Sequence, residues 1–178
     1  MYEKINERIP NFDLHPVFTI DGTQSWKGYQ EISKIINYEM QKYESKCVLV
    51  IDSYYHINHK ELREYFIDNI KPQLVICTDD LRADDDILDK FITNDRINGV
   101  FAIGQIDEYF DSEKIKTAQE LIHNTTQGMI VVYGIGAALV TKGDILVYNN
   151  ITIQRVKDGY LSSLSNWGMN NPHEDPLT

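Results

Sequence analysis

The sequence predicts an α/β fold, a three-layer domain in which a mostly parallel sheet carries helices on both faces. Short apolar runs rich in β-branched residues, such as 47–51 and 74–77, are typical of strands that are covered on both sides. They alternate with segments whose apolar residues recur every three or four positions, which is the spacing of an amphipathic helix. Strands and helices that alternate in this way form parallel sheets through crossover connections.

The elements follow one another in a simple order. We expect an extended arm at 1–16, strands at 17–20, 47–51, 74–77, 129–133 and 145–148, helices at 27–44, 60–70, 84–92 and 112–124, and a loop at 93–104. Asp111 or Ser112 can cap the helix at 112–124, and residues 151–153 can continue the last strand. One domain over 17–161 therefore precedes a polar tail at 162–178.

Charge and composition exclude several classes of partner. The 178 residues carry a formal net charge of −10, which disfavours nucleic acids and anionic membranes because both are polyanions. No apolar stretch is long enough to span a bilayer. Cys47 and Cys77 lie inside apolar strands, as reduced thiols of a cytoplasmic protein do. The composition still allows small neutral or phosphorylated molecules as ligands.

Candidate ligand-binding residues follow the carboxyl ends of the predicted strands, where open parallel sheets bind their ligands. Asp52 is the carboxylate best placed to act as a base or to hold a metal's water, although capping of the next turn is the simpler interpretation. The full set of ligand-binding candidates is Asp52, Ser53, His56, His59, Lys60, Asp79, Gly134, Gly136 and Ala137.

The loop at 52–59 stands where a phosphate-binding P-loop would stand, but it has no glycine and no Gly-Lys-Ser/Thr sequence. It can form at most a degenerate phosphate site. His56 and His59 are three apart and could bind a metal with Asp52, yet no further strong ligand is fixed by the sequence. Two surface histidines are the simpler interpretation, so no metal ligand is assigned in this chain.

Gly134 and Gly136 lack the third glycine of a dinucleotide-binding GxGxxG, so we expect them to form a tight turn, with phosphate contact as a lesser alternative. The acidic run at 79–90 lacks the glycine and glutamate of an EF-hand and is expected to begin a helix. Trp26 and Trp167 can each hold a loop to the core or form the aromatic wall of a sugar or base site.

Four stretches together carry a family resemblance: VLVIDSYYHI, TNDRINGVFAIGQIDEYFD, VVYGIGAALVTKGDILVYNNITIQ and SNWGMNNPHED. They resemble the N-terminal region of bacterial class I mannose-6-phosphate isomerase-like proteins of the cupin type. The resemblance implies a non-catalytic accessory domain of a protein for aldose–ketose sugar-phosphate isomerisation in carbohydrate metabolism. It further implies that the polypeptide continues past Thr178 into a cupin domain, its partner, and that zinc is held only there.

The order of elements also resembles the uridine-kinase type of P-loop fold. This second resemblance implies an alternative function, a nucleotide-dependent phosphotransferase acting through Asp52, Lys60 and the Gly134 loop. A third alternative is an interaction or oligomerisation module, and the sequence leaves a homo-oligomer open.

Overall fold

The computed structural model describes residues 21–22, 24–84, 88, 96–97, 100–101, 105–162, 165 and 167. Four predicted segments lie wholly or mostly outside these residues. They are the arm at 1–16, the strand at 17–20, most of the helix at 84–92 and most of the tail at 162–178. The helices and strands are α1 (Tyr29–Met40), β1 (Lys46–Ser53), α2 (His59–Leu62), α3 (Asp68–Ile70), β2 (Leu74–Cys77), β3 (Arg96–Ile97), β4 (Val100–Phe101), α4 (Ser112–Asn124), β5 (Gly128–Gly134), α5 (Ala137–Val140), β6 (Ile145–Asn149) and α6 (Ile153–Leu161). A π-helical turn over Arg63–Ile67 joins α2 to α3, and a 3-10 turn over Thr78–Leu81 follows β2.

The main sheet has four parallel strands in the order β2-β5-β1-β6. On one face, α1, α2, the π-helical turn and α3 pack on alternate residues of β1 that include Leu49 and Ile51. On the other face, α4 and α5 pack on Val48 and Val50. This three-layer arrangement confirms the predicted fold class. The continuous apolar character of β1 and β5 arises because both of their faces are covered.

The strand register brings the carboxyl ends of the strands to one edge. Asp52 of β1 is level with Gly134 of β5 and with Tyr148 of β6. The chain leaves β1 toward the face that carries α2, and it leaves β5 toward the face that carries α5. Loops that diverge from two adjacent parallel strands open a crevice between them, which is where such sheets bind ligands.

Two predicted elements differ from the structure. The loop predicted at 93–104 contains the antiparallel pair β3 and β4. Residues 151–153 do not extend β6, because the Thr152 hydroxyl accepts a hydrogen bond from the backbone N–H of Arg155 and Ile153 begins α6. Strand β6 also has one uncovered side within the described part of the chain, where Leu146 is 61% and Tyr148 62% exposed. None of the helices that the structure describes is long and apolar enough to cross a membrane.

Asp111 caps α4, so replacing it should weaken this helix. Its Oδ1 accepts hydrogen bonds from the backbone N–H groups of Glu113 at 2.8 Å and Lys114 at 3.1 Å. Asp111→Ala is expected to lower the free energy of unfolding by about 1 kcal/mol, measured by urea denaturation. Ser112→Ala is the matched control and should stay within about 0.5 kcal/mol of the wild type. Equal losses in the two variants would contradict the capping role of Asp111.

Candidate functional site

A cavity of about 440 Å³ lies at the carboxyl edge of the sheet, beside the ends of β1, β2 and β5. It is lined by Tyr55, His56, Ile57, Asn58, His59, Asp79, Ile135, Ser165 and Trp167. We call this cavity the crevice. It contains residues from four separate segments of the chain and is open to solvent.

His59 and Asp79 form an ion pair in the crevice. His59 is the first residue of α2, and Asn58 caps this helix by accepting a hydrogen bond from the backbone N–H of Glu61 at 3.1 Å. Asp79 lies in the 3-10 turn after β2. The Nδ1 atom of His59 is 2.8 Å from Oδ2 of Asp79, and the two side chains are 16% and 42% exposed. A helix start and a strand end thus hold the two groups together.

The ion pair fixes the charge of both groups. Burial of the His59 ring disfavours the imidazolium, but hydrogen bonds to Asp79 and Cys77 outweigh burial and raise the pKa of His59 to about 9. The hydrogen bond from His59 lowers the pKa of Asp79, against the opposing effect of burial, and Trp167 and Arg82 add to the lowering. An imidazolium and a carboxylate therefore face each other at neutral pH.

Trp167 and Cys77 complete the surroundings of Asp79. The indole Nε1–H of Trp167 donates to Oδ1 of Asp79 at 3.1 Å, and the Sγ atom of Cys77 lies 3.7 Å from Oδ2. The Trp167 ring packs against Tyr109 and Phe110, with centroid distances of 5.7 and 5.6 Å. Both oxygens of the Asp79 carboxylate are therefore engaged, and Trp167 both packs against aromatic residues and lines the crevice.

Several polar atoms beneath the crevice are buried without a hydrogen-bond partner among the described residues. They are Oγ of Ser53, Oγ1 of Thr78 and Nε2 of His59. Buried donors and acceptors in native proteins are almost always paired with protein groups or with bound molecules. These atoms therefore favour a ligand or ordered water at this end of the sheet.

Gly134 is required by the close packing at the end of β5. A Cβ atom at this position would overlap with Oγ1 of Thr78 and lie 3.3 Å from Cε1 of His59, and the φ angle of +118° disfavours any other residue. Gly136 also has a positive φ, of +71°, and a Cβ there would lie 2.9 Å from the ring of Phe110. Both glycines therefore serve the turn and its packing, as the sequence predicts.

The structure separates the predicted site residues into groups. His56, His59 and Asp79 line the crevice, and Ser53 is buried at the end of β1. Asp52 does not line it, because strand alternation places Asp52 on the face of Val48 and Val50.

Lys60 and the turn after β5 also lie apart from the crevice. Lys60 is exposed and lines a separate groove with Glu61 and Glu64. Gly136 and Ala137 are buried at the start of the four-residue helix α5, and neither lines the crevice.

Sequence reasoning missed Cys77 as a site residue and placed Tyr133 only in a strand. Cys77 is the last residue of β2, so its position at a strand end could have indicated it. The Tyr133 hydroxyl lies within hydrogen-bond reach of the Cys77 thiol, and burial together with this contact raises the pKa of Tyr133 to about 12. No local sequence pattern links these residues, because they lie on two different strands.

Comparison with known proteins gives one match. No curated protein and no solved structure is similar to this chain. The model of the family DUF8485, described as a domain of unknown function, matches residues 28–178. These residues include the whole described sheet and the crevice. The chain belongs to the DUF8485 family.

Proposed function

We propose that this domain binds a small phosphorylated ligand, a sugar phosphate or a nucleotide, in the crevice and does not itself catalyse a reaction. In this proposal it is the accessory domain of a mannose-6-phosphate isomerase-like protein. The observation that carries the ligand-binding function is an open crevice at the divergence of β1 and β5, with the charged His59 and Asp79 on its wall. Its volume of about 440 Å³ is within the range of small-molecule sites.

The local charge supports an anionic ligand. The chain as a whole has a net charge of −10. Among the described residues that line the crevice, however, Asp79 carries the one carboxylate, and it is paired with the imidazolium of His59. Arg82 lies close enough to Asp79 to lower the pKa of that carboxyl group. The negative charge of Asp79 is therefore offset by neighbouring cations, which makes the approach of a phosphoryl group less unfavourable than the net charge of the chain implies.

The aromatic side chains support a ring on the ligand. Tyr55 and Trp167 both line the crevice, and Trp167 is fixed by its hydrogen bond to Asp79. The Tyr55 hydroxyl donates to the backbone carbonyl of Ser165 at 3.0 Å, which holds the Tyr55 ring against the same wall. Aromatic faces of this kind bind the apolar face of a sugar or a nucleobase.

The arrangement gives little support to the phosphotransferase alternative. Phosphoryl transfer by a P-loop enzyme needs a glycine-rich loop and a lysine that reaches the phosphates. The loop after β1 has no glycine, and Lys60 lines a groove that contains neither Asp52 nor the turn after β5. The uncovered side of β6, with Leu146 and Tyr148, instead favours a packing role against another domain as the second candidate function.

Binding should be visible as thermal stabilisation. At a concentration one hundred times its dissociation constant, mannose 6-phosphate, fructose 6-phosphate or a nucleotide is expected to add about 2.7 kcal/mol to the free energy of unfolding. Unphosphorylated mannose should add little. Trp167→Ala should reduce the affinity for the active ligand about tenfold or more, whereas Trp26→Ala, which alters a 43% exposed residue outside the crevice, should not.

Two results would contradict the proposal. Absence of a shift with every phosphorylated compound would leave only the packing role. Turnover of ATP by the chain, with loss on Asp52→Asn, would favour the phosphotransferase alternative instead.

A further inference from the structure

The side chains of His59, Cys77 and Asp79 converge at one point on the wall of the crevice. One ligand atom from each, an imidazole nitrogen, the thiol sulfur and a carboxylate oxygen, lies within 4.8 Å of the other two. The Asp79 oxygen that bonds His59 is the same oxygen that faces the Cys77 thiol, at 2.8 and 3.7 Å respectively. We propose that these three side chains bind a divalent transition metal ion, of which zinc is the best match.

Two of the three separations between ligand atoms suit zinc after a small adjustment, and the third, between His59 and Cys77, is at most 4.8 Å. Zinc bonds to histidine nitrogen, cysteine sulfur and carboxylate oxygen are about 2.0–2.3 Å long, so tetrahedral ligand atoms lie about 3.2–3.7 Å apart. The separation of 3.7 Å between Cys77 and Asp79 already meets this requirement. The distance between His59 and Asp79 has to open by about half an ångström, which a small side-chain rotation provides.

Neighbouring groups support the three ligands in the manner of known metal sites. Trp167 donates to the Asp79 oxygen that does not face His59, and this orients the carboxylate. The Tyr133 hydroxyl lies beside the thiol of Cys77. The strand end of β2 and the capped start of α2 fix the backbone of Cys77 and His59. Such outer groups are a regular part of protein zinc sites.

The three ligand atoms indicate which metals bind and how many coordination positions of the metal stay free. A thiolate and an imidazole favour zinc or cobalt over magnesium and calcium, which prefer oxygen ligands. Three protein ligands leave a fourth position for water or a ligand in the crevice. Metal binding replaces the proton of the His59 imidazolium and the proton of the Cys77 thiol, and both protons leave to solvent. This site is separate from the zinc that the family resemblance implies in a cupin domain.

Metal binding can be tested without any organic ligand, so its outcome is independent of the proposed function. The chain is treated with a chelator, exchanged into metal-free buffer and titrated with Co²⁺. We expect a thiolate-to-cobalt charge-transfer absorption that saturates at one equivalent and is abolished by an equivalent of Zn²⁺. Cys77→Ser should lose this absorption, and Asp79→Asn should weaken Co²⁺ binding at least tenfold.

Matched controls separate this site from other thiols and imidazoles. Cys47→Ala alters the buried cysteine of β1, and His123→Gln alters an exposed histidine of α4, so both should keep the cobalt absorption. Trp167→Phe should keep the absorption but weaken binding about 10–100-fold, because it removes only the outer hydrogen bond. Circular dichroism checks that each variant is folded.

A second measurement uses the wild-type chain alone, so it does not depend on a variant that folds. Bound Zn²⁺ should slow alkylation of Cys77 by iodoacetamide, located by mass spectrometry, and a chelator should restore the rate. The proposal is overturned if the wild type gives no charge-transfer absorption, if Cys77→Ser keeps it, or if Zn²⁺ leaves the alkylation of Cys77 unchanged.

Discussion

Gly134→Ala is expected to lower the free energy of unfolding by about 2–6 kcal/mol, the largest effect that we expect for a single substitution at this site. Two costs add. The φ angle of +118° forces an alanine into a sparsely populated backbone conformation, which costs about 1–3 kcal/mol. The new Cβ would also overlap with Oγ1 of Thr78, and overpacking of this kind costs about 1–3 kcal/mol. Urea denaturation monitored by circular dichroism measures the total.

Two further variants separate these costs. Gly28→Ala also has a positive φ, of +82°, but no atom within 4 Å of the new Cβ, so it should show only the conformational cost of about 1–3 kcal/mol. Adding Thr78→Ala to Gly134→Ala removes the overlapping hydroxyl and should recover part of the loss, measured relative to Thr78→Ala alone. A Gly134→Ala protein as stable as the wild type would show that the end of β5 can move away from Thr78.

The ion pair of His59 and Asp79 should make stability depend on pH, and we expect a loss of about 2–3 kcal/mol as the pH rises from about 6 to 10 in metal-free protein. The pKa of His59 is raised from 6.5 to about 9 in the folded state. The folded state therefore holds this proton more tightly than the unfolded state does. The contribution to stability is fully present below pH 6.5 and is lost as the pH rises through about 9.

At low pH the contribution of Asp79 makes stability depend on pH in the opposite direction. The pKa of Asp79 is lowered from 3.8, so the stability due to its carboxylate is present above pH 3.8 and is lost as the pH falls through the lowered value. The pair therefore contributes most between pH 3.8 and 6.5.

The measurement is the difference in unfolding free energy between the wild type and His59→Gln across this pH range, with a chelator present. Titrating groups that do not interact with His59 cancel in that difference. The difference should shrink by about 2–3 kcal/mol toward pH 10. His123→Gln, which alters an exposed histidine of α4 outside the crevice, is the control. A difference that does not change with pH would show that His59 is not held as an imidazolium.

The sequence alone determined the fold class because periodicity is a local property. The apolar runs at 47–51 and 74–77 predict strands that are covered on both faces, and the structure has β1 and β2 at these positions. The cap at Asp111 and the amphipathic spacing of α4 are equally local signals. The prediction was wrong at 151–153, where Ile151 and Ile153 fit a strand pattern but the cap at Thr152 begins a helix.

The candidate site was only partly visible in the sequence. The sequence predicts His59 and Asp79 as ligand-binding residues because each follows a strand, but no local pattern indicates that the two side chains meet. The sequence predicts a core thiol at Cys77 and allows Trp167 either a packing role or a ligand-binding role. Neighbouring residues in the sequence indicate only the local structure around each of these four residues. The hydrogen bonds of Asp79 to His59 and to Trp167 join residues that are 20 and 88 positions apart in the chain.

Strand order therefore decided the chemistry of the site. The sequence predicts which strands form, because each strand depends on its own apolar residues. It does not predict that β5 lies between β1 and β2, since that order depends on packing between distant segments. With β5 in that position, the end of β2 reaches the start of α2 past Gly134, whose missing side chain leaves room for Thr78 and His59. The local pattern determined the elements, and only tertiary packing brought His59, Cys77, Asp79 and Trp167 together.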